Sequence, residues 1–108
     1  LVASGLNGQN FAFNGYLPIE QGERLKKLKF LEARAQSENQ TQLFMETPYR
    51  NQGLFDFILK SCPLHLFLGI AANIGEESSI IRSKKIEDWK RSDPPMLHKL
   101  PTIFSLGI

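Results

Sequence analysis

The chain has 108 residues, 42% hydrophobic and 22% charged, with a formal net charge of +2. That is the size of one domain with enough apolar surface for a core, which excludes a wholly disordered segment. The longest apolar stretch, residues 64–72, is interrupted by His65 and Gly69 and falls far short of the ~20 residues of a membrane span, the single cysteine (Cys62) excludes an intrachain disulfide and a multi-cysteine zinc site, and so small a charge does not by itself argue for nucleic acid.

The elements follow in order. Residues 10–16 carry Phe11, Phe13 and Tyr16 and read as a strand, punctuated by Gly15, Pro18 and Gly22. Residues 23–36 read as an amphipathic helix with Leu25, Leu28, Leu31 and Ala35 at spacings of three and four. Its polar side is basic, with Arg24, Lys26, Lys27, Lys29 and Arg34. Residues 41–46 form a strand candidate. Thr47-Pro48 then supplies a hydroxyl cap and a proline at the first helical position, so a helix is expected to Lys60, burying Leu54, Phe57 and Ile58. Gly53 weakens that helix and Pro63 ends it. Residues 64–70 make the most apolar strand candidate, expected near the middle of a sheet. Residues 78–82 read as a returning strand. Ser83 is expected to cap a short helix to Lys90 that buries Ile86 and Trp89, and residues 102–106 read as a last strand after a proline-rich connection. The order β-α-β-α-β-β-α-β argues an α/β (α+β) domain: a mixed, mostly five-stranded sheet with about three helices.

Ligands of open α/β sheets bind beyond the carboxyl ends of strands. Two such ends carry suggestive chemistry. At Met45-Glu46-Thr47-Pro48-Tyr49-Arg50 a carboxylate, a hydroxyl, a phenol and a guanidinium crowd a helix start. Glu46 there could accept from an adenine amine or a ribose hydroxyl; capping chemistry is the competing reading. At Ile70-Ala71-Ala72-Asn73-Ile74-Gly75-Glu76-Glu77 small residues at the strand end would let a ligand approach the backbone, with Asn73 able to donate and accept, or Ala and Gly would serve a tight reversal. The remaining groups read as structural. His65 and His98 lack partners at metal-ligand spacing, Cys62 has no base nearby in sequence, and the basic helix serves either as a solvated face or as a phosphate contact. No G-x-G-x-x-G, Walker loop, nucleophile elbow or zinc signature is present.

Gly15-Tyr16-Leu17-Pro18 followed by Gly22-Glu23-Arg24 and a basic helix, together with Ser4-Gly5-Leu6 and the later Glu46-Thr47-Pro48-Tyr49-Arg50, resembles a run found in the tetrapyrrole methylase superfamily. The closest branch by these motifs resembles the ribosomal RNA small subunit methyltransferase I family. The resemblance covers nearly the whole chain but only the C-terminal half of that two-domain architecture. It implies residues 1–9 as a linker from a preceding domain and 10–108 as a C-terminal methyltransferase domain, which would account for a start at Leu1. It further implies S-adenosylmethionine in a cleft between halves, with Met45, Glu46, Ala72 and Asn73 as cofactor neighbours. Arg24, Lys26, Lys27 and Arg50 become the expected contacts to RNA, whose ribose 2'-hydroxyl would be the acceptor. A cytoplasmic homodimer without metal or membrane partner is expected. Two departures point to a sister group with another substrate. The Arg- and Glu-containing loop of the branch is replaced here by Leu68-Gly69-Ile70-Ala71-Ala72-Asn73, and residues 97–104 look unlike it. The alternative is a non-catalytic dimerisation or partner-binding module.

Overall fold

Five strands and three helices occur in the expected order: β1 (Phe11–Tyr16), α1 (Gln21–Glu38), β2 (Thr41–Met45), α2 (Asn51–Ser61), β3 (Phe67–Ala72), β4 (Ile80–Lys85), α3 (Ile86–Lys90) and β5 (Thr102–Gly107). This is a computed structural model, and it describes residues 10–108. The expected linker at residues 1–9 and the Ser4-Gly5-Leu6 run lie outside the described residues.

The strands make one mixed sheet in the order β1-β2-β5-β3-β4. β1 runs parallel to β2, with α1 as the crossover, and every other neighbouring pair is antiparallel. The chain's last strand is therefore the central one. The apolar run expected in the middle is its neighbour, β3.

Local chemistry explains where the boundaries move. α1 starts two residues earlier than its apolar periodicity predicts. The Glu20 carboxylate caps it, accepting from the Glu23 amide at 2.6 Å, and Asn39 closes it in the left-handed region at φ 48°. The buried stripe is Arg24, Leu28, Leu31, Glu32 and Ala35, while Leu25 is exposed. Arg24 takes the place expected for Leu25 because it has a buried partner, described below. Thr47 makes no side-chain cap. Residues Pro48–Arg50 form a 3-10 turn first, and α2 begins at Asn51, so its inward face is Asn51, Leu54, Phe55 and Ile58, with Phe57 only packed at the margin.

β3 begins at Phe67 rather than residue 64. Residues 63–66 turn on a Leu66 amide to Pro63 carbonyl bond, which seats Leu66 in the core and leaves His65 exposed. β4 is longer than expected, because six consecutive residues pair with β3 and Ser83 stands opposite Gly69 within that ladder. Ser83 therefore caps nothing. The first amides of α3 are satisfied instead by backbone carbonyls, Ile86 to Leu66 at 2.8 Å and Glu87 to Leu64 at 3.1 Å.

One hydrophobic cluster joins the helices to a single face of the sheet. Phe44, Leu68, Ile70, Ala72, Phe104 and Leu106 point into it from the strands. Phe44 and Phe104, opposite one another across β2 and β5, stack at 5.9 Å. Trp89 packs edge-on against Phe55 at 5.4 Å and donates its indole N–H to the Leu68 carbonyl at 2.9 Å. By the period-two alternation, Phe11, Phe13, Ile81 and Ile103 belong to the opposite face, and all four are exposed. No described helix is long and apolar enough to cross a membrane.

Candidate functional site

β5 runs antiparallel to both of its neighbours, so β2 and β3 point the same way and end at the same edge. Their registers meet there. Met45 and Ala71 both pair with Ile103, one from each side. The two strand ends singled out in the sequence, far apart along the chain, are thus two walls of one place, with β5 between them. A hollow of about 420 Å³ lies at this edge, lined by Met45, Ala71, Ile74, Pro101, Thr102 and Ile103. It is large enough for a small-molecule ligand, whose pockets span about 300–1,000 Å³.

The β3 wall is built from small residues and neutral hydrogen bonds. Ala72 is buried on the helix side and pairs with Ile80 on one flank and Thr102 on the other. Asn73 turns the chain at φ 55°, a left-handed conformation that asparagine tolerates better than most residues. Its amide donates to the Pro101 carbonyl at 2.8 Å, and its Nδ2 donates to Ser78 Oγ at 2.7 Å. Asn73 thereby ties the β3 end to the entry of β5.

The β2 wall is built from charge. The Glu46 side chain is 1% exposed and its Oε2 pairs with Arg24 Nη2. Its Oε1 accepts from the Thr47 amide at 2.8 Å and lies 3.3 Å from Arg50 Nε. Both carboxylate oxygens are therefore committed within the chain. Arg24 is equally committed, since its Nε donates to the Pro18 carbonyl at 2.9 Å. So the residue expected to hold a cofactor and one expected to hold RNA hold each other. Arg50 remains 44% exposed beside them.

The other expected cationic contacts stand elsewhere. Lys26 and Lys27 line a second hollow of about 310 Å³ with Pro18, Glu23 and Phe30, where Lys27 Nζ sits 5.2 Å from the Phe30 ring. Exposed Tyr49 has His98 edge-on at 6.0 Å and Lys99 Nζ 5.9 Å from its ring, and the Lys99 amide donates to the Pro48 carbonyl at 3.0 Å. Burial and the neighbouring Glu32 carboxylate push the Cys62 thiol far above its ordinary range, so it stays protonated and unreactive. His65 meets Gln36 at the surface. Among the described residues no group of three His, Cys, Asp or Glu could hold a metal ion.

Ile74 falls within the second strand end singled out in the sequence, whereas sequence reasoning missed Pro101, Thr102 and Ile103 as lining residues. Nothing local reveals that the last strand inserts between β2 and β3. It also missed the Arg24–Glu46 pair, although the two opposite charges sat in the two motifs that carried the resemblance.

No family model and no curated protein matches the chain. Among solved structures it is similar to the methyltransferase CobJ, at 16% identity and a TM-score of 0.57, with 98% of this chain and 44% of that one covered. The chain thus spans less than half of that structure's length. At this identity the likeness establishes the fold: the mixed five-stranded sheet with three helices is an architecture that occurs within a methyltransferase. It does not select the ribosomal RNA branch.

Proposed function

We propose that this chain is the C-terminal domain of an S-adenosylmethionine-dependent methyltransferase of the tetrapyrrole methylase type, and that the edge where β2 and β3 end is one wall of its cofactor cleft. The observation that carries the reading is the shared register of Met45 and Ala71 on Ile103. The fold's occurrence in CobJ supports it independently. The residues present fit such a group. Met45, Ala71, Ile74 and Ile103 offer apolar contact to a nucleoside, and the Thr102 hydroxyl is the polar side-chain group among the lining residues.

When bound, S-adenosylmethionine supplies an electrophilic methyl group. The chain's own contribution is to bind, to orient and to exclude water. The rate advantage of such a transfer comes largely from holding donor and acceptor in line. No residue lining the hollow can take up an acceptor's proton, so deprotonation of a hydroxyl acceptor falls to groups outside it.

An RNA acceptor, methylated at a ribose 2'-hydroxyl, remains part of the proposal. Lys26, Lys27 and the free side of Arg50 are its contacts, with Arg24 withdrawn into the fold. Lys26→Glu with Lys27→Glu is expected to weaken RNA binding and flatten its salt dependence. Cytoplasmic location and homodimer formation belong to the same reading. A second reading, a dimerisation or partner-binding module, is favoured by the exposed apolar side chains Phe11, Phe13, Ile81 and Ile103, and solution mass tests it.

The deciding experiment is calorimetric titration of the full-length protein with S-adenosylhomocysteine, beside an Ala71→Phe variant that fills the hollow. Binding that drops at least tenfold in the variant supports the reading. Binding unchanged by the variant removes the cofactor from this edge, and no binding in the wild type removes the cofactor altogether.

A further inference from the structure

The structure assigns Arg24 and Glu46 a positioning role: their buried ion pair sets the backbone of the Met45–Thr47 turn and so shapes the β2 wall of the hollow without touching its occupant. This inference rests on the proposed cofactor cleft.

The pair joins four segments. Arg24 reaches from α1 and is also bonded to Pro18 in the β1–α1 loop. Its guanidinium lies 5.8 Å from the Phe57 ring of α2. Glu46 ends β2, and one of its oxygens receives the Thr47 amide of its own turn. One residue back, the Met45 carbonyl accepts from the Leu17 amide at 3.4 Å. Met45 then lines the hollow. The chain of contacts therefore runs from α1 through the carboxylate to the backbone that carries Met45.

Stability alone does not call for charge here. The two side chains are 9% and 1% exposed, and desolvating them offsets much of their attraction. Well-packed apolar residues of similar volume often hold such a place as firmly. What an apolar pair cannot supply is direction. A carboxylate that accepts from the Thr47 amide on one oxygen and from Arg24 on the other fixes the turn's orientation as well as its depth. Arg24 supplies that direction because its planar fork donates to Glu46 and to Pro18 at once, and a lysine cannot reproduce that geometry.

The test separates holding from aiming. The full-length protein is compared with Glu46→Gln, with Arg24→Lys, and with the double variant Arg24→Met plus Glu46→Leu. Thermal unfolding, Thr47 amide shift and exchange by NMR, and S-adenosylhomocysteine titration are read for each. The expected result is a double variant that unfolds near the wild-type temperature yet binds at least tenfold more weakly, with a displaced Thr47 resonance. The single variants should show the same displacement, smallest in Arg24→Lys. A double variant that binds as tightly as the wild type overturns the positioning role and leaves the pair merely structural. If the wild type itself does not bind, the cofactor reading fails separately. The turn then decides in Arg24→Lys, which leaves Glu46 and Thr47 themselves unchanged: an unmoved Thr47 resonance overturns the positioning role, and a displaced one supports it. Should the double variant fail to fold, Glu46→Gln decides by the same two readouts, because it keeps the volume and an acceptor for Thr47.

Discussion

The two walls of the hollow reach one edge by opposite means. At the end of β2 a carboxylate is buried between Arg24 and Arg50, and the turn is held by charge drawn from α1. At the end of β3 the turn is held by neutral hydrogen bonds, from Asn73 to Pro101 and Ser78. The difference follows from what each wall packs against. The β2 end sits under α1 and α2, out of water, where an unpaired polar group is costly and a paired charge is rigid. The β3 end opens into the exposed residues 74–79, where water competes for bonds and neutral groups do the holding. One wall is thus set by buried charge drawn from a helix, and the other by neutral hydrogen bonds, one local to Ser78 and one across the sheet to Pro101.

Mutation should expose this asymmetry. The largest effect is expected for Glu46→Ala, which strands the buried guanidinium of Arg24. Loss of one partner of a buried pair costs about 3–5 kcal/mol, measurable by denaturant unfolding. A second test asks whether buried polar chemistry elsewhere under α1 behaves alike. Cys62, beside Glu32, has a folded-state pKa raised above its ordinary 9.0, so the folded chain holds that proton longer than the unfolded one. Its contribution is complete below pH 9.0 and is lost as pH rises beyond it. The slope approaches about 1.4 kcal/mol per pH unit. Unfolding curves should show no Cys62-dependent slope at about pH 7 and should approach that slope above about pH 9 in the wild type, with a flatter line there in Cys62→Ala.

Smaller effects mark the limits. Gly53 is exposed within α2, and a β-carbon there would meet nothing within 4 Å. Gly53→Ala should raise stability by about 1 kcal/mol through helix propensity, stiffening the helix behind the β2 wall. Thermal unfolding reads it. The smallest change is expected for Asn73→Gly. It relieves the left-handed backbone but loses the Ser78 bond, so the two terms nearly cancel, to within about 1 kcal/mol. A loss at Asn73 as large as that at Glu46 would break the comparison between the walls.

Much of this fold is legible along the chain. The apolar spacing of Leu28, Leu31 and Ala35 marks α1, and the aromatic run from Phe11 marks β1, because side-chain period follows directly from backbone geometry. The errors share a cause. Leu25 and Phe57 have the right spacing but the wrong rotation, since Arg24 and Phe55 turn inward instead. Ser83 looks like a cap, yet its strand continues past it and backbone carbonyls cap α3. In each case a partner distant in sequence overrode a sound local preference.

The same division holds for the site. The sequence by itself determined the order of elements and the chemistry at each strand end, because apolar period, small residues and turn formers act over a few neighbours. Only the tertiary structure decided that those ends meet. It placed the last strand between β2 and β3, brought Met45 and Ala71 onto Ile103, and spent Arg24 and Glu46 on one another. Strand adjacency and ion pairing are contacts across long loops, chosen by how well the whole core and its buried charges can be satisfied together, and no short window of residues contains that information.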